Sequence, residues 1–243
     1  MPENVLLISD IHSRDDALER LIDTLTPQLE SCHLVFLGDL NDCRDKSYQE
    51  QSSFVKVYKL VRQLCDEGHA TLIHSNHSQN LCDHYLSRRK VHKGVMGFKK
   101  TLAELDKIEE ADRKEMINWL DTRPLGVEYS LDNGKEYHIA HAFYDRRLDY
   151  KTNKLTNEEI NRTLRGNKAS WLYQGKKYSR HVGFWRNPTR WGAIDNHVLC
   201  SGHWEQVITT ENCVVNDPGG HGTDGTIGVY DCLNNNITIY ENK

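Results

Sequence analysis

Five short polar clusters in this 243-residue chain each follow an apolar run. Ser-Asp-Ile-His (9–12) follows VLLI, and Gly-Asp-Leu-Asn-Asp (38–42) follows LVFL. Ser-Asn-His (75–77) follows ATLIH, His-Ala-Phe (141–143) follows YHIA, and Ser-Gly-His-Trp-Glu (201–205) follows HVLC. Any one of them alone is bland, because an Asp after a strand is usually a helix cap and a lone His a satisfied core or surface group. Five such ends in one chain, each presenting Asp, His or Asn, suggest shared chemistry. Carboxylate, imidazole and amide oxygen suit borderline-hard cations such as Mn²⁺, Fe and Zn²⁺. One carboxylate can bridge two ions about 3.5–4 Å apart, which turns a shared water into hydroxide near neutrality and clamps a phosphoryl oxygen. No side-chain nucleophile is then needed.

The elements that must hold these residues read as an alternating β-α-β-α-β opening. Residues 4–9, 33–37 and the ATLIH segment are strand-sized apolar runs. Between them, DDALERLIDTL places Leu18, Leu21, Ile22 and Leu25 on one helical face, and a longer helix carries Phe54, Val55, Tyr58, Val61, Arg62 and Cys65. This order predicts a parallel sheet with active groups at the strand C-termini. Residues 81–121 read as helical and stop at a proline, and Asp-Asn-Gly between 125–131 and 135–142 predicts a hairpin. Residues 145–192 are basic, polar and aromatic without clear periodicity, which suggests an insertion or cap. Five strands follow: HVLCSG, EQVITT, CVVND, TIGVYDC and NITIYE.

Composition narrows the class. With 37% hydrophobic and 27% charged residues the chain can bury a core, and its longest apolar runs are too short to span a bilayer. The N-terminus MPENVLLISD lacks the basic region of a signal peptide. Seven cysteines without a CxxC pair point to reduced thiols and a cytoplasmic location. A net charge of −4 argues against nucleic acid as a partner, although the Trp, Tyr and Arg interleaved in SWLYQGKKYSRHVGFWRNPTRW could stack bases. No membrane partner is expected.

The clusters resemble the D-x-H, G-D-x-x-D-R-G, G-N-H-[DE], H-[AG]-G and G-H motifs of the calcineurin-like metallophosphoesterases. The likeness is to the branch of serine/threonine phosphoprotein phosphatases and diadenosine tetraphosphatases. It extends to VHKGVMGFKKTLAEL, NWLDTRPLGVEY, ASWLYQG and VVNDPGGHGTDGTIGVYDC. The resemblance implies an α/β fold, a four-layer α/β/β/α sandwich with mixed sheets, in one domain over 1–243 with a cap at about 145–192. It implies two divalent ions, Mn²⁺ first with Fe or Zn²⁺ as alternatives. Asp10 and His12 would hold the first, Asp39 would bridge, and Asn76, His141 and His203 would complete the second. His77 would act as general acid and Asp42 would orient a neighbouring polar group.

The sequence departs from that pattern where phosphate is gripped. Cys43 stands at the arginine position of the second motif with Arg44 beside it, His74 replaces an arginine before the third, and Ser78 replaces the acid after His77. A phosphate clamp would then be rebuilt from Arg44, His74, Arg146 or Arg147. Without a carboxylate partner, His77 would be a weaker acid catalyst and favour aryl over alkyl phosphates. Glu205 could bind or support the first metal. The expected activity is phosphomonoester hydrolysis by a metal-bridging hydroxide, on a phosphoprotein, nucleotide or small molecule. Two alternatives stay open: a dinucleoside polyphosphate or nucleic-acid diester hydrolase, and a catalytically weak metal-bound interaction module.

Overall fold

A computed structural model describes residues 2–88, 91, 95–145, 148–150, 155–165, 172–173, 176–177, 196–218 and 225–241. The opening strand β1 (Asn4–Ile8) is buried along its whole length, as a run of apolar residues requires when both sheet faces are covered. Helix α1 (Asp15–Leu25) leads to β2 (Cys32–Phe36), and α2 (Phe54–Asp66) leads to β3 (Ala70–Leu72). β1, β2 and β3 pair in parallel, as the alternating pattern predicts. The chain's last hairpin, β11 (Ile227–Asp231) and β12 (Asn236–Tyr240), adds antiparallel to the other side of β1. A second five-stranded sheet runs β4 (Gly126–Ser130), β5 (Glu136–Ala140), β8 (His197–Ser201), β10 (Cys213–Asn216) and β9 (Val207–Thr209). Within it, β5–β8 and β8–β10 are parallel while the β4–β5 hairpin is antiparallel.

The fold is the expected α/β sandwich of two mixed sheets with helices outside. Alternate residues of the first sheet point to opposite layers. Leu6, Ile8, Leu34, Phe36 and Leu72 pack under α1 and α2, while Val5, Leu7, Val35, Leu37 and Ile73 meet Tyr137, Ile139, Val198, Cys200 and Val214 of the second sheet. Burying each such side chain stabilises the fold by about 1.5–3 kcal/mol, so the two-sheet contact holds both sets of strand ends in register. In α2 the buried stripe is Phe54, Val57, Tyr58, Val61 and Leu64. Val55, Arg62 and Cys65, expected on that face, lie at its flanks and are only partly buried.

Two helical boundaries differ from expectation. The segment expected from residue 81 begins as α3 (Asn76–Tyr85), because Ser75 caps the helix by accepting from the Ser78 amide. It is followed by α4 (Phe98–Leu105) and α5 (Glu110–Asp121). Within 145–192, α6 (Asn157–Arg165) is opened by a reciprocal capping box: Thr156 N–H donates to Glu159 Oε2, and Glu159 N–H donates to Thr156 Oγ1. The T-x-x-E signal for it stands in the sequence. A short ribbon, β6 (Leu172–Tyr173) with β7 (Lys176–Lys177), is also described there. No helix among the described residues is long and apolar enough to cross a membrane.

Candidate metal centre

The polar clusters converge where strands of both sheets end. Asp10 and His12 follow β1, Asp39 and Asp42 follow β2, Asn76 and His77 open α3 after β3, His141 follows β5, and His203 follows β8. The backbone is strained at this convergence. Of nine non-glycine residues with positive φ among those described, His12 (47°), Ser13, Asp39 (44°), Asp42 (68°), His203 (67°) and Glu205 belong to it. Such conformations cost on the order of 1–3 kcal/mol each and persist where surrounding structure enforces them. Two glycines make the approach feasible. A Cβ on Gly38 would lie 2.5 Å from Ser75 Cβ and 2.9 Å from His141 Nδ1, and one on Gly202 would lie 2.5 Å from Asp10 Oδ1.

Asp39 belongs to two groups of ligand atoms, one with His12 and His77 and one with His141 and His203, each within 4.8 Å. Its Oδ2 is 3.7 Å from His12 Nε2 and its Oδ1 is 3.5 Å from His141 Nε2. Asp10 Oδ2 lies 4.0 Å from His12 Nε2. The imidazoles are fixed from behind: His141 Nδ1 donates to Leu37 O at 2.8 Å, and His12 Nδ1 donates to Asn41 O at 3.1 Å. That leaves each Nε2 lone pair aimed at the carboxylates, the arrangement that orients a metal-binding histidine. His141 Nε2 also faces Asn76 Oδ1 at 2.7 Å, a contact between two acceptors that a proton on Nε2 or a shared metal ion reconciles.

Both oxygens of Asp10 and Oδ2 of Asp39 are buried without a well-formed hydrogen bond among the described residues. Burial, together with the Asp217 and Asp39 carboxylates, raises the Asp10 carboxyl well above its ordinary value, and the His203 amide offsets only part of this. Burial also pushes Asp39 upward, but His141, His77 and His12 outweigh it and hold that carboxyl well below the usual range. Buried carboxylates of this kind are stable only beside compensating positive charge. The donor set therefore fits divalent metal, with Asp39 central to it.

His77 has the carboxylate partner that Ser78 does not supply. Its Nδ1 donates to Asp42 Oδ2 at 2.6 Å, and Asp42 is held in turn by the Thr101 hydroxyl at 2.7 Å. Burial lowers the imidazole's basicity, yet Asp39 and the Asp42 hydrogen bond more than reverse this, so its pKa is raised. The expectation of a weakened acid is thereby corrected: the partner comes from a distant loop, and Ser78 instead serves the α3 cap. Thr101 was missed because nothing in its local sequence marks it.

Of the expected phosphate contacts, Arg44 is half-buried, makes no side-chain hydrogen bond or ion pair among the described residues, and its charge acts on both Asp10 and His77. His74 does not fit the role: it is buried, with Nδ1 on Leu120 O at 3.0 Å and Nε2 against Gln79 Oε1 at 3.2 Å. Its ring ties α3 to the end of α5. Arg146 and Arg147 lie outside the described residues. Glu205 is exposed, and its amide donates to Asp217 Oδ2 at 2.7 Å. Asp217, buried just after β10, is a further carboxylate beside Asp10; it lies outside the five strand-end motifs, and its CVVND segment signals only a strand.

The profile of the calcineurin-like phosphoesterase family matches residues 3–205. No curated protein sequence matches the chain. Among solved structures, a candidate diadenosine tetraphosphatase superposes with a TM-score of 0.61 at 18% identity, over 100% of this chain and 96% of that one. A protein serine/threonine phosphatase from Saccharomyces cerevisiae with similarity to human phosphatase PP5 gives 0.61 at 13% identity, over 100% and 81%. A cold-active protein tyrosine phosphatase gives 0.53 at 18% identity, over 94% and 74%. At these identities the structural likenesses speak for the fold. The family match spans most of the chain and agrees with the strand-end ligand set: the chain belongs to the calcineurin-like phosphoesterases, metal-dependent hydrolases of phosphate esters.

Proposed function

We propose that this phosphoesterase hydrolyses alkyl phosphomonoesters, of a phosphoprotein or a small molecule, with two Mn²⁺ ions as its preferred metals. The observation that carries this reading is the buried His77–Asp42 pair. An alkoxide is a poor leaving group and requires a proton in the transition state, whereas a phosphate leaving from an anhydride does not. A buried histidine whose Nδ1–H is held by a carboxylate is suited to that demand.

Asp10, His12, Asp39, Asn76, His141 and His203 would hold the ions. When bound, the ions supply an activated water at neutral pH and neutralise charge on the phosphoryl oxygens. The chain's own groups do the rest. His77 carries the proton at Nε2 toward the departing oxygen while Asp42 holds Nδ1–H and Thr101 holds Asp42. Arg44 offers a guanidinium fork to the terminal phosphate oxygens, and a monoester dianion uses that charge more fully than a diester. The reading places the enzyme in the cytoplasm, which its seven free cysteines support.

Turnover of phosphoserine and phosphothreonine peptides, p-nitrophenyl phosphate, its bis ester and a dinucleoside tetraphosphate, each with Mn²⁺, tests the proposal. We expect both monoester classes to be hydrolysed and the alkyl class to depend on His77. A dinucleoside tetraphosphate or bis ester turned over faster than every monoester would overturn it.

A further inference from the structure

A second set of converging ligands lies away from the strand ends, within the β5–β8 pair itself. Glu136 and His197 are register partners on the two parallel strands, and His138 lies two residues on from Glu136. Residues 136, 138 and 197 therefore point to the same face, opposite the one on which Tyr137 and Val198 meet the first sheet. On that face His138 Nε2 is 2.7 Å from His197 Nδ1, which is 3.2 Å from Glu136 Oε2. His138 Nε2 and Glu136 Oε2 are 3.9 Å apart. The three ligand atoms lie within 4.8 Å of one another, and the imidazoles stack at 5.0 Å with planes 19° apart.

We propose that Glu136, His138 and His197 form a separate binding site for one Zn²⁺-class divalent ion. Three atoms on a tetrahedral ion with bonds of 2.0–2.1 Å would be separated by about 3.3 Å. One separation already matches, one must open by roughly half an ångström and one must close by as much, which side-chain torsions can absorb. Two imidazoles and a carboxylate are a donor set that zinc accepts. The far side of His138 supports the assignment. Its Nδ1 lies 3.5 Å from Glu128 Oε1, and that oxygen accepts from the Tyr144 hydroxyl at 2.6 Å. The contact is longer than a formed hydrogen bond, but the carboxylate's charge favours a proton on Nδ1, which leaves the Nε2 lone pair toward metal.

The location suggests what the ion does. His138 and His197 are 59 residues apart in sequence, and their strands end in His141 and His203 of the phosphoesterase centre. An ion here cross-links β5 to β8 and stabilises the folded chain by mass action, without touching the reacting atoms.

The experiment is zinc stoichiometry by elemental analysis and zinc affinity by titration, with the thermal midpoint followed in parallel. Wild type is compared with His197→Ala and with Glu136→Gln, an isosteric change on a half-exposed side chain. We expect wild type to hold one more Zn²⁺ than His197→Ala, and Glu136→Gln to weaken that equivalent at least about tenfold. The zinc-dependent rise in midpoint should shrink in both, with p-nitrophenyl phosphate turnover unchanged. Retention of the full zinc count and the same midpoint rise in either variant overturns the proposal. The contact would then be a His197 N–H shared between His138 and Glu136. If His197→Ala does not fold, Glu136→Gln decides alone.

Discussion

The same two strands serve two histidine–carboxylate clusters that are built differently. At the strand ends, His141 and His203 join Asp10, His12 and Asp39, with His12, Asp39 and His203 on left-handed backbone and buried carboxylate oxygens left short of donors. One strand-length back, His138 and His197 meet across regular β5–β8 pairing, and neither has positive φ. The first cluster is enclosed, with Asp39 and His141 almost fully buried; in the second, Glu136 is 51% exposed. Identical ligand chemistry thus has two origins. Strain, close glycine approach and unsatisfied charge mark the candidate reaction site, whereas pleat and register alone bring together the proposed ion site.

The sharpest way to separate the clusters is Asp39→Asn. Loss of the shared carboxylate should abolish turnover and weaken metal at the strand ends by more than the 10–100-fold typical of losing a supporting partner. Zinc held through His138 and His197 should remain. Elemental analysis beside an activity assay checks this, and equal loss of metal from both clusters would make them one coupled site.

Next in size is Asp42→Asn, which keeps the shape of the His77 partner but removes its charge. Alkyl phosphate turnover should fall by about 10²-fold or more, within the range general acid catalysis contributes, while aryl phosphate turnover changes far less. Metal content should not move. A leaving-group series measured for both proteins reads the difference; parallel loss across the series would take the proton-transfer role from His77.

Arg44→Ala should raise KM for monoesters by about tenfold, the loss of one charge-assisted interaction, with a smaller change in kcat. Initial-rate kinetics on p-nitrophenyl phosphate suffices. An unchanged KM would remove Arg44 from the phosphate grip.

The smallest effect concerns pH. Burial, then the Asp39 carboxylate, pushes the Asp217 carboxyl from its ordinary 3.8 up to about 6. A raised acid binds its proton more tightly when folded, so its contribution to stability is complete below pH ~4 and is lost as pH rises through ~6. Chelator-treated wild type should therefore lose thermal stability between pH 4 and 6.5 relative to Asp217→Asn. Thermal scans across that window check the sign, and parallel pH profiles would show that Asp217 does not titrate there.

Much of this was legible beforehand because it is local. The apolar runs for β1, β2 and β3, the 3.6-residue period of α1 and the Asp-Asn-Gly turn each report their own neighbourhood. The five strand-end clusters were legible for the same reason, since each motif lies within a few residues. Even α6 announced itself through Thr156 and Glu159, a signal overlooked amid the aperiodic stretch. The phase of α2 was less certain, because Val55 and Val57 are both apolar and only packing on the sheet selects Val57.

Residue type and short-range spacing by themselves determined the main strands and helices and the strand-end candidate ligands, but not Asp217. Tertiary structure decided the pairings across the chain. Asp42 reaches His77 over 35 residues, Thr101 reaches Asp42 over 59, and His138 meets His197 over 59. Such contacts depend on which strands are neighbours and on their register, and a one-residue slip would turn every side chain to the opposite face. That register is set by the joint packing of both sheets, which no local stretch of sequence encodes.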